Sequence, residues 1–524
     1  MNSILKLLFI AAFFNALSWI ILIPVWQYPD EQAHFAQVQD IAELGYRPTD
    51  GFDTSYEIEL SEKILDTERD VFGNNKFTYH PEYKIEYSDS FYGVREQELV
   101  NLLKAARIQL VKNEATLNPP LYYFLGSVFY KLFYNQDLFT RVYAVRLMSL
   151  IFFTTTVAVA FKIGQLIFEK NNGLALALAS LTAFQPMLIS ASTGVLPDSL
   201  TNLLFSAVLF ICLKIIKEGI DPKLLISLFV LIILGSLTRQ QFLIALPIVA
   251  LPIIYQLFRK VGQSKTTVAV LITIVVFVIS SYLIPQFKFI RDLAAPEIGR
   301  PNLALLLNAQ FIDHIVWTIR HTVAEVLPWY WGVYKWLSLT LPPLHYRVIN
   351  RLIILALIGL ILRAIIIIRN RRLSLSDLIL GFLIIVSLIY FVTLLIWDYF
   401  FRLGHNFSFG IQGRYFFPLI TAHMGILLIG FWQIFRLVLK KYASIGIYAL
   451  ILFFIFFNNF SLFYVASSYY DISNLSTFIK QVSQYKPLII KGNTIPMILL
   501  LSLTFQSIFI FSLGKYIIKR NVST

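Results

Sequence analysis

Apolar runs of about 20 residues, long enough for a helix to cross a bilayer core, recur along the chain. They fall near residues 4–26, 141–167, 173–191, 199–217, 222–238, 241–258, 266–285, 346–368, 376–397, 414–438, 443–463 and 494–515. The pattern predicts an all-α polytopic membrane protein with about twelve transmembrane helices. Residues 27–117 are the only extended polar stretch, predicted to hold a few short helices capping the membrane part. A thirteenth apolar segment, 118–134, opens with NPPLYY. It is predicted to lie along the membrane or re-enter, because a full crossing would invert every basic cluster after it. Further outer loops are predicted at 286–345, 398–413 and 464–493. The whole chain, 1–524, reads as one membrane domain.

Composition agrees: 57% of the 524 residues are hydrophobic and 14% charged, with mean hydropathy +0.69. So little charge excludes a soluble enzyme. The net charge of +14 is unevenly placed, since residues 27–117 hold 18 acidic and nine basic residues. Elsewhere the basic residues cluster between apolar runs, as in Arg369/Arg371/Arg372 and Lys440/Lys441. Twelve spans put these clusters and both termini in the cytoplasm under the positive-inside rule. The basicity therefore reports topology and not nucleic acid. The first run passes directly into YPDEQAHF without a cleavage site, which reads as a span and not a cleaved signal. A single cysteine, Cys212, excludes a disulfide framework.

Candidate chemistry begins at Asp30 and Glu31, directly after the first span. If DEQAHFAQVQDIAEL is helical, Asp30 and His34 share a face, and Phe35, Val38 and Ala42 form an apolar stripe that would lie flat on the bilayer. A carboxylate there suits a general base for a membrane-presented substrate, and equally suits a helix cap. Arg146, Arg239 and Arg414 stand at the ends of apolar runs, where a cation is expensive unless it has a task. Guanidinium clamps phosphate well, although each arginine alone could snorkel to headgroups. Asp198 either caps the helix that follows it or adds a second carboxylate. The aromatic cluster WYWGVYKW includes Trp329, Tyr330 and Trp331, suited to a sugar pocket or to an interfacial belt. The histidines His80, His314, His321, His345 and His405 lack metal-ligand spacing, so no metal site is expected.

PDEQAHF (29–35), NPPLYY (118–123) and the arginine of VYAVRLMSL resemble motifs of GT-C membrane glycosyltransferases, such as protein O-mannosyltransferases and aminoarabinose transferases. Asn118 replaces their usual His or Lys. PDEQAHF, WYWGVYKWLSLTLPPLHY (329–346) and QGRYFFPL (412–419) are also similar to a family of predicted bacterial polytopic membrane proteins placed in the same superfamily. The resemblance implies an inverting glycosyltransferase of the bacterial cytoplasmic membrane, acting on its outer face. It would move a sugar from a polyprenyl-phosphate donor to a glycan, lipid or protein acceptor. By that resemblance Asp30 or Glu31 is the base, and Arg146, Arg414 and Arg239 hold the lipid phosphate. His34, Asn118, Asp198, Trp329, Tyr330, Trp331, Gln412 and Tyr415 are expected to line the substrate site, with no metal or other cofactor. A transporter of an envelope precursor and an envelope glycan polymerase or ligase are the alternatives. The lack of visible repeats, and the acidic pair after the first span, weigh against them.

Overall fold

The computed structural model describes residues 2–49, 51–70, 73–114, 118–169, 171–261, 308–408 and 410–522. Among these, nine helices are long and apolar enough to cross a membrane, from Asn2–Leu22 to Thr494–Ile517. The expected span at 173–191 is instead two helices, Asn172–Ala183 and Pro186–Thr193, bent by 59°. The cause is Pro186 at the first helical position, since proline disfavours helical backbone in the residue before it. Gln185 is accordingly extended, and its side chain accepts the Leu188 N–H to cap the second helix. The run at 222–238 is the 15-residue helix Pro222–Ser236. The expected span at 266–285, and residues 286–307 of the second outer loop, lie outside the described residues. The NPPLYY segment forms the helix Leu121–Leu132. Its 12 residues reach about 18 Å, short of a core about 30 Å thick.

Two devices join the spans. Where no hydrophobic force drives helices together, polar side chains and close backbone approach take its place. Asn458 donates to Asn15 at 2.8 Å and accepts from the Trp19 indole at 3.1 Å, while Asn459 donates to Gln506 at 2.7 Å. This network links Asn2–Leu22, Lys440–Tyr469 and Thr494–Ile517. The second device is a backbone crossing of Pro343–Asn370 and Gly413–Val438. A Cβ at Gly359 would strike the carbonyl of Gly430, and one at Gly430 would strike that of Ala356.

The helix expected to lie flat on the bilayer is Glu31–Glu43, and the expectation is corrected: every residue from Glu31 to Asp40 is buried. It packs on Leu121–Leu132, whose Gly126 leaves room for Val38. The first loop folds over its polar side. Gln39 donates to Glu57 at 2.7 Å and accepts from Ser55 at 2.6 Å. Glu57 in turn binds Arg141 of the span Leu138–Phe168 at 2.5 Å, which rivets the loop to the membrane part.

A second cover comes from the short hairpin pairing Val333–Tyr334 with Leu339–Thr340. Its turn carries three successive left-handed residues, Lys335, Trp336 and Leu337, with φ of 51°, 53° and 63°. For non-glycine residues this conformation costs about 1–2 kcal/mol each. It is held in place from outside. The Trp336 indole donates to the Trp26 carbonyl at 3.0 Å, and the Lys335 ammonium to those of Tyr83 at 2.5 Å and Pro81 at 3.1 Å.

Gly430→Leu should separate the crossing helices and destabilise the protein by about 1–3 kcal/mol, as overpacking does. Ile365→Ala, at a 54% exposed position of the partner helix, should leave thermal unfolding in detergent near wild type. Equal melting of the two variants would refute the close crossing.

Candidate functional site

The two acidic residues after the first span have different surroundings. Glu31 and Arg146 are both 0% exposed and form a double ion pair, Nε to Oε1 at 2.8 Å and Nη2 to Oε2 at 2.6 Å. Oε1 also accepts the Val195 N–H, and Oε2 the Trp26 N–H, each at 3.1 Å. The remaining guanidinium hydrogens go to the carbonyls of Ile20, Ile23 and Pro24 at 2.9–3.2 Å. All five donors of the arginine and all four acceptor positions of the carboxylate are thereby filled. The rings of Tyr28 and Tyr143 lie 4.8 and 4.9 Å from the guanidinium. Two expectations are corrected on this geometry. Glu31 has no lone pair for a proton, and Arg146 has no hydrogen for a phosphate; together they form an internal strut.

Asp30 is the opposite case. Its backbone is left-handed (φ 58°) and its side chain makes no capping bond to the helix behind it, which removes the capping reading. The carboxylate turns away, binds Arg69 at 2.7 Å, stands 3.8 Å from Arg414, and keeps 35% exposure. Arg69 is fixed by Glu114, at 2.5 Å to the carboxylate and 3.0 Å to the backbone carbonyl. Lys112 bridges Glu114 at 3.0 Å and Glu62 at 3.1 Å. Burial pushes the Asp30 carboxyl up, but Arg69 and then Arg414 outweigh it and hold it below the usual range. Asp30 is thus an ionised carboxylate. Glu62 is pushed the other way, by burial and by the neighbouring Glu114.

Around Asp30 the structure gathers most of the expected set. His34 lies one turn on, its Nδ1 2.8 Å from the Tyr123 hydroxyl. Burial lowers the imidazole to about 3 against the pull of Asp30, so it is neutral. Asn118 is in the layer behind: its side chain meets the Tyr123 hydroxyl and its carbonyl accepts from Arg47. The Arg414 Nε donates to Gln412 at 2.9 Å, and its guanidinium lies 5.7 Å from the Tyr415 ring. Arg239, at the end of a neighbouring span, is within electrostatic reach of Arg414 and His34. Asp198 pairs with Arg239.

The aromatic triad is placed elsewhere. Tyr330 and Trp331 line an open apolar groove of about 300 Å³ with Phe391, Phe416 and His423. The Tyr330 hydroxyl is 3.1 Å from His423, and Trp329 makes an edge contact with His321. None of the three lines the cavity beside Arg414. The second half of the same motif, Tyr334 and Trp336, reaches the cavity beside Pro29 and Arg414. The split follows from Gly413: a Cβ there would strike the backbone of Trp329 and Tyr330. Only glycine lets the Arg414 turn close against them. Sequence reasoning missed Arg69 and Glu114, because a loop arginine among acids carries no local signal. Among the described residues no group of three or more His, Cys, Asp or Glu side chains stands close enough to hold a metal ion.

The chain is thus a helical, multi-spanning membrane protein whose polar centre is assembled from its loops. It belongs to the family described as "Predicted membrane protein (DUF2142)", whose model matches residues 13–422 and so takes in PDEQAHF, NPPLYY and QGRYFFPL. No curated protein matches it. Among solved structures it is similar to the Archaeoglobus fulgidus oligosaccharyltransferase in the apo form (15% identity, TM-score 0.45). That match covers 89% of this chain but 56% of the archaeal one, so the chain spans little over half that enzyme's length. It is also similar to ArnT from Cupriavidus metallidurans bound to undecaprenyl phosphate (13% identity, TM-score 0.36, covering 90% of this chain and 74% of that one).

Removing one member of a saturated buried pair leaves the other uncompensated, which typically costs about 3–5 kcal/mol. Arg146→Met and Glu31→Gln should therefore fail to yield a stable protein, whereas Asp30→Asn should melt near wild type. Near-normal melting of Arg146→Met would refute the strut.

The loop should also respond to alkali. Burial, reinforced by Asp53, raises Asp40 to about 8, against an ordinary value of about 3.9. A raised value favours folding most below the ordinary value, and that contribution is lost as pH rises towards 8. Asp40→Asn should melt above wild type at pH 8.5 and about equal to it at pH 4, as read by thermal unfolding across pH. Parallel curves for the two proteins would show that Asp40 carries no such linkage.

Proposed function

We propose that this protein is an inverting glycosyltransferase that moves a sugar from a polyprenyl-phosphate donor to a hydroxyl of an acceptor on the outer face of the membrane. The observation that carries the reading is the pairing of an ionised, partly open carboxylate, Asp30, with Arg414 and the nearby Arg239. A base stands beside permanent cations, as acid–base transfer away from a phosphate leaving group requires. The apolar groove supports the lipid part. Phe416 in its wall is two residues from Arg414, so a phosphate on the arginine turn places its isoprenoid chain in the groove.

In this reading the acceptor oxygen attacks the anomeric carbon from the face opposite the phosphate. As that C–O bond forms, the bond to the phosphate oxygen breaks, and the acceptor proton passes to an Asp30 oxygen. The products are the inverted glycoside and polyprenyl phosphate, whose added charge Arg414 and Arg239 stabilise. A carboxylate held low by Arg69 is a weak base, so proton transfer comes late, once bond formation has acidified the acceptor hydroxyl. Neutral His34, oriented by Tyr123, and Gln412 and Tyr415 position the reactants. Asn118 acts through Tyr123, and Asp198 restrains Arg239. The reaction as written needs no metal, because the arginines supply the positive charge.

The test is transfer of radiolabelled sugar from polyprenyl-phosphate sugars to membrane acceptors by purified protein, in the presence of EDTA. Asp30→Asn should lose about 10²–10⁴-fold in rate, the range for a positioned base. Arg414→Gln should lose about 10²–10³-fold, as for removal of a charge-stabilising donor. Full activity of Asp30→Asn, or activity restored only by divalent cations, would overturn the mechanism.

A further inference from the structure

A polar cavity lies at the other ends of the spans, far from Asp30. Arg414 begins the span Gly413–Val438 and Arg436 lies in its last turn, so the two arginines stand about a bilayer core apart. Beside Arg436 is an open cavity of about 300 Å³, walled by Arg363, Trp432, Glu169, and Ser374 and Ser376 at the start of Leu375–His405. One water needs about 10–15 Å³, so this space admits a group of many atoms. Its charges do not cancel. Arg363 donates its Nε to Asp377 at 2.7 Å and its Nη2 to Ser376 at 2.8 Å, which leaves its Nη1 without a partner among the described residues. Glu169 stands 3.9 Å from Lys217. Each of the two acids thus has a cation of its own. Arg436 is exposed and, among the described residues, has neither an ion pair nor a hydrogen bond. The Trp432 indole N–H likewise has no acceptor among them. Arg369, Arg371 and Arg372 are exposed where Pro343–Asn370 ends and add to the surplus.

We propose that this cavity binds the headgroup of an anionic phospholipid from the leaflet opposite the Asp30 site, with the phosphodiester on Arg436. The planar guanidinium takes two phosphate oxygens side by side, and the Arg363 Nη1 and the Trp432 indole supply further donors. A headgroup with hydroxyls, such as glycerol, also gives Glu169 a donor. A lipid fits better than a soluble anion because of what borders the cavity. On the span that carries Arg363, Ile361, Ile365 and Ile368 are 54–75% exposed, and side chains of this kind on a span meet acyl chains. The headgroup and its chains are thereby served by one helix. Basic pockets between spans suit anionic headgroups on the cytoplasmic side, and the positive-inside rule makes this face the cytoplasmic one. A bound headgroup bridges the last turn of Gly413–Val438 to the start of Leu375–His405. The inference does not depend on the reading of Asp30.

The experiment is native mass spectrometry of the full-length protein, stripped of lipid in detergent and titrated with phosphatidylglycerol, phosphatidylethanolamine or glycerol phosphate. Wild type is compared with Arg436→Gln, Lys441→Gln and Arg414→Gln. Lys441 is an exposed cation of the same membrane face, outside the cavity lining. The first phosphatidylglycerol should bind wild type, Lys441→Gln and Arg414→Gln with equal affinity. Arg436→Gln should bind it about tenfold more weakly, as for loss of a charge-assisted hydrogen bond. Phosphatidylethanolamine should bind the wild type more weakly than phosphatidylglycerol, and glycerol phosphate should not bind where phosphatidylglycerol saturates. Equal affinity of Arg436→Gln and wild type would overturn the proposal. So would an equal loss in Lys441→Gln, which would mean diffuse attraction to a basic face and no site. A first binding step lost in Arg414→Gln instead would put the lipid at the Asp30 site. Equal binding of phosphatidylethanolamine would remove the selection for an anionic lipid, and glycerol phosphate binding as tightly as the lipid would make this a site for a soluble anion; either overturns the assignment.

Discussion

The rest of the site depends on one saturated ion pair. Arg146 and Glu31 are sealed from water and exchange two hydrogen bonds, and their remaining capacity is taken by the backbone of the first span's end and of the turn before Asp198. A buried pair satisfied in this way contributes mainly by fixing geometry, because desolvation offsets much of its attraction. Here it fixes where the first span stops. The chain leaves that point through the Tyr28–Pro29 turn into a left-handed Asp30, so the carboxylate next to the strut is directed out of the helix and towards the loops.

The arginines divide according to what remains for them to bind. Arg146 is consumed internally, while Arg69 is anchored on Glu114 and orients Asp30. Arg414 reaches Asp30 at 3.8 Å and faces Arg239 across the cluster. Each of these two like charges has a carboxylate beside it, Asp30 at Arg414 and Asp198 at Arg239, which offsets their repulsion in partial burial. The same economy separates the aromatic residues. Close contact of Gly413 with Trp329 and Tyr330 commits the first half of the motif to the apolar groove. The left-handed turn carries the second half over to the cavity.

Much of this was legible in the order of residues. Apolar run length follows from bilayer thickness, so nine of the twelve expected spans and the membrane class could be read directly. Charge at the ends of spans is rare enough to single out Asp30, Glu31, Arg146, Arg239 and Arg414. The bend before Pro186 was not seen in the hydropathy because proline breaks a helix without changing its apolar content. The Glu31–Glu43 helix looked like a surface element because its apolar stripe is real. Its polar side is buried by Ser55, Glu57 and Arg141, whose approach is a property of the folded loop.

The sequence by itself determined the number and kind of candidate groups: two adjacent carboxylates, three span-end arginines, an aromatic cluster and no cysteine chemistry. Tertiary structure alone decided which of them are free to act. Asp30 and Glu31 are chemically near-equivalent carboxylates at neighbouring positions, and the distinction arises from what fills their lone pairs. Arg146 and Arg414 likewise differ in whether Glu31 and backbone carbonyls 122 to 126 residues away in sequence reach the guanidinium. Such long-range satisfaction of hydrogen-bonding capacity leaves no mark on local sequence, because any backbone supplies the same carbonyl.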